Sequence, residues 1–306
     1  MSERLSSYDG VREFWGSEAC GTQFVPRDLA PQEFFERYRR FRYETEWHIP
    51  ILVPFSECAG KRVLEIGCGN GADGVQFARH GAQYTGVDLT EAAVAATREH
   101  FELLGLKGRL LVENAERLSF DDHSFDVVYS YGVLHHTPRP AEAFNEILRV
   151  LVPGGRAILM LYNRRSFNYH VRILLWMRAR AMLTCAARRR RWAVDRRRLE
   201  DGHGSALRGN ADPRLWEVHY RNFLEQGWTY FSADHFVHHG TDGPGCPIAY
   251  VFTRAELRSM LRGFAAVTFK AVHFPLRKYL GRAAPRALER PLASALGWYL
   301  MVFATK

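Results

Sequence analysis

Cysteine is scarce and scattered. Cys20, Cys58, Cys68, Cys185 and Cys246 make five in 306 residues, an odd number with no C-x-x-C pair. That excludes a dense disulfide framework and the common zinc spacings, and it fits a reduced, cytoplasmic setting. No run of eighteen residues lacks charge, so no membrane span is expected, and residues 1–10 are polar, so no secretory leader is expected there. There is no internal repeat. What is abundant is apolar side chain, at 47%. A chain of this length and composition can bury a full core, and one domain with large additions is expected.

The stretch richest in information is Val63-Leu64-Glu65-Ile66-Gly67-Cys68-Gly69-Asn70-Gly71. An apolar run ends in a glycine turn, and a helix is expected from about Ala72 to Gly81, giving strand, turn, helix. Without a Cβ, glycine lets the backbone turn sharply and lie against a ligand, while the helix behind aims free N–H groups at it. The turn reads two ways. Gly67, Gly69 and Ala72 satisfy G-x-G-x-x-G/A, the pattern of a nicotinamide or flavin site. Gly67, Gly69 and Gly71 also satisfy the E/D-x-G-x-G-x-G turn of S-adenosylmethionine binders, with Glu65 as the acid.

The following segments decide between them. Gln83 to Asp88 reads as a second short strand, and Asp88 falls 21 residues after Gly67, placed to accept ribose hydroxyls. Leu111 to Leu118 is a strand end and polar turn holding Asn114 and Ala115. Phe120 to Ser130 is a turn and a strand of buried type, running into Tyr131-Gly132-Val133-Leu134-His135-His136-Thr137. A helix from about Pro140 to Leu151 stops at Pro153-Gly154-Gly155, and a strand follows from Arg156 to Leu161.

These motifs, in this order, resemble the class I S-adenosylmethionine-dependent methyltransferases, in the branch with the quinone-biosynthesis and small-molecule enzymes. The resemblance is dense over residues 61–162. It implies an α/β fold with a seven-stranded, mostly parallel, doubly wound sheet of order 3-2-1-4-5-7-6, the last strand antiparallel. Residues 1–60 would form a helical cap, 61–163 the cofactor-binding core, 164–263 an acceptor-pocket insertion and 264–306 the closing strands. It also implies roles: Glu65, Gly67, Gly69 and Gly71 shape the methionine end, and Asp88 holds the ribose. Leu89, Asn114 and Ala115 meet the adenine, and Ser130 and Tyr131 face the sulfonium. Many relatives carry Asp where this chain has Asn114, whose amide oxygen can still accept from the adenine amine. No metal is expected.

Ahead of the core, residues 31–49 read as a helix rich in aromatics and arginine. Tyr38, Arg42 and Tyr43 are candidates to reach over the pocket; the plainer reading is a surface helix with its aromatic face on the core. Phe14-Trp15-Gly16 and Cys20-Gly21-Thr22 are candidates to pack beneath it. After the fifth strand, about a hundred residues separate it from the next, far more than a crossover needs. Asn163, Tyr169, His238 and His239 are candidate acceptor contacts there, or satisfied structural residues. Asp234, His235, His238 and Asp242 match no strong metal spacing.

Residues 161–200 hold twelve arginines against two acids, more than the whole chain's net charge of +9. Three readings compete for the basic helix at 172–198: a solvated face, a contact with an anionic membrane or an acidic partner, and a polyanion surface. Nucleic acid is not expected, for want of a separate RNA-binding module. A cytoplasmic protein is expected, with peripheral membrane contact left open by this stretch.

Thr253 followed by Glu256 predicts a capping box on a helix over 252–264. Residues 265–273 and 297–306 read as the last two strands, with a helix around 285–295 between them. The function implied is methyl transfer to a small-molecule acceptor, O-methylation first, with S-adenosylhomocysteine as product. His136, and next His135, matches the histidine of several O-methyltransferases in this branch and would act as general base, or else shape the pocket floor; a carboxylate acceptor would need no base. The alternatives are a tRNA carboxyl methyltransferase, a SAM-binding regulator without turnover, and a nicotinamide-dependent oxidoreductase.

Overall fold

Val63, Leu64 and Ile66 give β1 (Arg62–Ile66) apolar side chains on both faces, the pattern of a strand inside a parallel sheet. The computed structural model describes residues 8–16, 25–26, 29–192, 215–274, 276 and 285–306. In it β1 neighbours β2 (Gln83–Asp88) and β4 (Phe125–Tyr131), both parallel to it. With β3 (Arg109–Val112), β5 (Leu151–Tyr162), β6 (Ala266–Val272) and β7 (Tyr299–Thr305) the sheet runs β3-β2-β1-β4-β5-β7-β6. The last strand, β7, is antiparallel to both β5 and β6, so the order and direction implied by the resemblance are those of the molecule.

Strand alternation feeds two cores. Val63, Val127, Tyr129, Ile158 and Met160 face one layer; Leu64, Val128, Leu159 and Leu161 face the other. Each fully buried side chain of this size contributes about 1.5–3 kcal/mol. A one-residue slip would exchange every side chain between the layers, which pins the register. Helices cover both faces: α1 (Tyr8–Gly16), α2 (Pro31–Thr45), α3 (Ala72–Arg79), α4 (Glu91–Leu103) and α5 (Pro140–Val150) before and between the strands. After β5 come α6 (Asn168–Ala187), α7 (Leu215–Gln226), α8 (Ala233–Thr241) and α9 (Arg254–Met260), and α10 (Arg286–Leu296) joins β6 to β7. No helix among the described residues is long and apolar enough to cross a membrane.

Three boundaries differ from the sequence expectation. α2 ends at Thr45, and a new turn, Ile49–Leu52, restarts with a proline in its first two positions; Pro50 has no N–H to continue a helix but suits a first turn. Pro153-Gly154-Gly155 does not separate helix from strand. It forms part of β5, opposite a register shift between Phe125 and Val127, with Gly154 N–H donating to Lys306 O. The helix expected over 252–264 is shorter, but Thr253 and Glu256 do close the capping box. Cys20-Gly21-Thr22 and Arg196 to Arg198 lie outside the described residues.

Candidate active site

A cavity of ≈ 160 Å³ opens at the carboxyl ends of β1, β2 and β4, the place where open α/β sheets bind ligands. The glycine turn forms its floor. Gly67 has φ 82° and Gly69 φ 57°, in the left-handed region that favours glycine. A Cβ on Gly67 would lie 2.1 Å from Val133 Cγ2, whereas one on Gly69 would meet nothing within 4 Å. Gly67 is thus required by close packing, and Gly69 borders open space.

At one end sit Glu65, Asp73 and Arg42, all lining the cavity. Arg42 reaches Asp73 Oδ2 at 2.5 Å and Glu46 Oε2 at 3.1 Å. The hydroxyls of Tyr43 and Tyr129 donate to Asp73 at 2.9 and 2.8 Å, and that of Tyr84 donates to Glu65 at 2.6 Å. Burial, then the neighbouring Asp73, pushes the Glu65 carboxyl well above the usual carboxylate range. Burial raises Glu46 too, with Arg42 pulling it back. Burial works against the charge of Arg42, yet Asp73 and Glu46 hold it protonated. Burial pushes Glu65 and Glu46 toward their neutral forms, and a cation placed beside them would draw both back to carboxylates, so this end suits a cationic ligand. The guanidinium also lies 4.8 Å over the Tyr131 ring. Tyr131 in turn meets His48 Nε2 at 2.8 Å. Burial, with His273 and Arg42, drives His48 down to about 3, so it is neutral.

At the tip of β2, Asp88 accepts from Thr90 N and Oγ1 on one oxygen, each at 3.0 Å, and from Gly69 N at 3.2 Å on the other. Burial raises its pKa. A carboxylate offers about four lone-pair sites, so Asp88 retains capacity for ligand hydroxyls. Leu89, Asn114 and Ala115 line the same end. Asn114 Oδ1 already accepts from Glu116 N at 2.9 Å, a local turn that uses one of its two lone pairs.

His136 stands at the opposite wall, on a 3₁₀ turn (Leu134–His136) after β4. Its Nδ1 lies 2.6 Å from Ile248 O, which assigns the proton to Nδ1 and the lone pair to Nε2. Nε2 is buried without a hydrogen-bond partner and lies 3.5 Å from Asp242 Oδ2. Tyr162 donates to both oxygens of Asp242, at 2.9 and 3.0 Å. Burial lowers the His136 pKa, and Asp242 and the Ile248 carbonyl pull it back. Cys246 Sγ is 3.8 Å from Nδ1, and His136, Asp242 and Cys246 bring one ligand-type atom each within 4.8 Å of one another.

The amino-terminal helix closes this wall. Trp15 lies 4.9 Å from the His136 ring, and Tyr8, Val11 and Trp15 line the cavity beside Tyr38 of α2. Tyr8 donates to Glu116, and Arg139 ties the pair with bonds of 3.0 Å to Glu116 and 2.8 Å to the Tyr8 hydroxyl. Asp73, the approach of Asp242 to His136 and this tether are absent from the sequence expectation, which set Asp242 beside Asp234, His235 and His238 instead. An acid in a first helical turn and a histidine–aspartate approach across the fold carry no local signal.

The remaining candidates are elsewhere. Gly71 caps α3, with φ 77°. Ser130 donates to Ile66 O at 2.9 Å. Tyr43 serves Asp73. His135 is fully buried against the Tyr162 ring, at 3.8 Å between centroids, with neither ring nitrogen partnered; burial holds it neutral. Asn163 donates to Gly297 O and Arg165 O. Tyr169, in the first turn of α6, packs into the core. His238 Nδ1 lies 3.0 Å from Ala249 N, and His239 Nδ1 lies 2.9 Å from Pro244 O. None of these side chains lines the cavity.

A seven-stranded sheet of this order, with a glycine turn, an acid at the tip of β2 and a cavity between them, is the arrangement that the resemblance to the class I S-adenosylmethionine-dependent methyltransferases implied. Residues 64–159 match the methyltransferase domain family Methyltransf_11. A ubiquinone biosynthesis O-methyltransferase of Alkalilimnicola ehrlichii is 36% identical over 118 residues, 38% of this chain and 47% of that protein. Phthiotriol/phenolphthiotriol dimycocerosates methyltransferase 1 of Mycobacterium ulcerans is 41% identical over 101 residues, 32% of this chain and 36% of that protein. The chain thus spans less than half the length of these relatives. Among solved structures, an S-adenosylmethionine-dependent methyltransferase from Mesorhizobium loti aligns with TM-score 0.49 and 18% identity, over 86% of this chain and 98% of that one. Residues 64–159 are thus similar to methyltransferase domains, and the sheet has the order and strand directions that the resemblance to the class I S-adenosylmethionine-dependent methyltransferases implied.

Proposed function

We propose that the chain transfers a methyl group from S-adenosylmethionine to a hydroxyl of a small-molecule acceptor. The observation that carries this reading is His136, which lines the cavity and whose Nε2 is buried with no hydrogen-bond partner. The Alkalilimnicola relative's name, an O-methyltransferase, agrees with a hydroxyl acceptor.

When bound, S-adenosylmethionine supplies a methyl group activated on a sulfonium. We assign Glu65 and Asp73 to its ammonium, Arg42 to its carboxylate and Asp88 to its ribose hydroxyls, with Leu89, Asn114 and Ala115 at the adenine. Arg42 is thereby moved from acceptor to cofactor. Trp15 and Tyr8 exclude water from the reacting end, which strengthens every charge interaction inside. Ile248 O holds the His136 ring by its Nδ1–H, so Nε2 is the atom that takes the acceptor's hydroxyl proton. The Asp242 carboxylate then steadies the imidazolium, and Tyr162 steadies Asp242.

The test has two steps. Titration calorimetry should show binding of S-adenosylmethionine and of S-adenosylhomocysteine, but not of NAD⁺. Incubation with methyl-labelled donor and a panel of phenols, alcohols, amines and carboxylates should then label the hydroxyl compounds. Binding of the dinucleotide alone would replace the methyltransferase reading, and labelling confined to amines or carboxylates would replace the hydroxyl.

A further inference from the structure

From residue 168 to residue 191 the chain holds no acid. This stretch contains α6, whose first part, Asn168–Met177, is wound as a π-helix and whose second, Arg178–Ala187, is an α-helix. Its inward stripe repeats every fourth residue: Tyr169, Ile173, Met177, Ala181 and Cys185, all buried. An ordinary surface helix would answer that stripe with a polar outer face. Here the outer face is apolar. Leu175, Trp176 and Leu183 are 66%, 54% and 71% exposed, and Val171 and Met182 are exposed as well. Arg178 and Arg180 stand among them, and Arg189 and Arg190 follow, both exposed. The Arg180 guanidinium lies 4.3 Å from the Trp216 ring centroid and 5.5 Å from that of Trp176.

A solvated basic face accounts for the arginines but not for outward leucine and tryptophan. A polyanion surface has the same shortfall, since phosphate contacts use the guanidinium and leave Leu175 and Leu183 in water. Apolar side chains that enter the acyl boundary, arginines level with the phosphates and tryptophan between them form the signature of a helix lying on a membrane. The total lack of acids matches an anionic sheet of headgroups and removes the like-charge repulsion that would oppose it.

We infer that α6 docks flat on an anionic lipid surface through Leu175, Trp176 and Leu183, with its arginines on the headgroups. The docked face is one helix from the active site: α6 packs on α8 so closely that a Cβ on Gly240 would lie 2.7 Å from Ile173 Cγ2. The residue just past α8 is Asp242, the partner of His136. The surface is independent of the proposed reaction, and its test reads no turnover.

Flotation of the whole chain with phosphatidylcholine vesicles, alone or containing about a third phosphatidylglycerol, measures the contact. The chain should float with the anionic vesicles and stay behind with the neutral ones. The double variant Leu175→Ser, Leu183→Ser and the double variant Arg189→Gln, Arg190→Gln should each lower the affinity about tenfold, with S-adenosylmethionine affinity unchanged. A second measurement uses the unaltered chain: phosphatidylglycerol with brominated acyl chains should quench its tryptophan emission, and Trp176→Phe should diminish the quenching. The inference is overturned if the chain ignores anionic vesicles, if the leucine variant floats like the wild type, or if quenching is absent. It is likewise overturned if size-exclusion chromatography shows a dimer that the leucine variant disperses, for then a second copy covers the face.

Discussion

Asp242 Oδ2 lies 3.5 Å from His136 Nε2, while the other ring nitrogen faces the Ile248 carbonyl at 2.6 Å. Both nitrogens of the ring therefore look at acceptors. A neutral imidazole satisfies one of them; an imidazolium satisfies both. Burial opposes that charge and lowers the pKa, so the resting ring is neutral and the arrangement favours it most once a proton arrives.

His136→Ala should reduce turnover on a hydroxyl acceptor by about 10²–10⁴-fold, the range for loss of a positioned base, while donor affinity stays within about twofold. Steady-state kinetics beside calorimetry separates the two. Equal turnover would remove His136 as the base.

The pH profile follows from the direction of the shift. A base must be unprotonated, so activity is lost as pH falls through its pKa. Burial lowers that pKa in His136, so the acid limb of kcat/KM should lie below the ordinary imidazole value of about 6.5. Asp242 raises the pKa, so Asp242→Asn should move the limb to still lower pH as well as slowing turnover. A limb that moves upward would contradict the assignment.

Asp73 holds Arg42, Tyr43 and Tyr129 together. Asp73→Asn leaves the buried guanidinium with Glu46 alone, and breaking such a pair costs about 3–5 kcal/mol. Denaturant melts should show that loss, together with weaker donor binding. The double variant Arg42→Met, Asp73→Asn should be less destabilised than the two single effects added, because each removes the other's partner.

Asp88→Ala should weaken binding of S-adenosylmethionine by about 10–100-fold, the equivalent of about 1.5–3 kcal/mol for hydrogen bonds to a charged group. Calorimetry showing the wild-type affinity would refute the ribose role.

Gly67→Ala and Gly69→Ala should part company. Both force a side chain into the left-handed region, at about 1–2 kcal/mol, but only at Gly67 does the new Cβ also strike Val133, adding about 1–3 kcal/mol of overpacking. Thermal melts should show Gly67→Ala as clearly the less stable, with Gly69→Ala nearer wild type in stability and altered chiefly in ligand binding.

The strands and turns were legible in the sequence because each announces itself locally, as an apolar run, then glycine, then an acid at the next strand's tip; their order in the sheet came from the family resemblance those motifs carry. Asp88, Gly67 and Gly69 were legible for the same reason, since a backbone turn and a strand end are local objects. Asp73, by contrast, looks like any acid in a first helical turn until Arg42, Tyr43 and Tyr129 close on it from two other elements. Asn163, Tyr169, His238 and His239 looked like pocket residues because polar and aromatic types occur in pockets, but each is placed by contacts that composition does not encode.

By itself the sequence determined the class of fold and the cofactor turn, and it marked residues 161–200 as basic. Only the tertiary structure decided that Asp242 meets His136, that α1 closes the wall and that the basic helix turns leucine and tryptophan outward. Those outcomes depend on which face each helix presents once the two cores are packed. That orientation is set by burial summed over the whole molecule, not by any run of neighbouring residues.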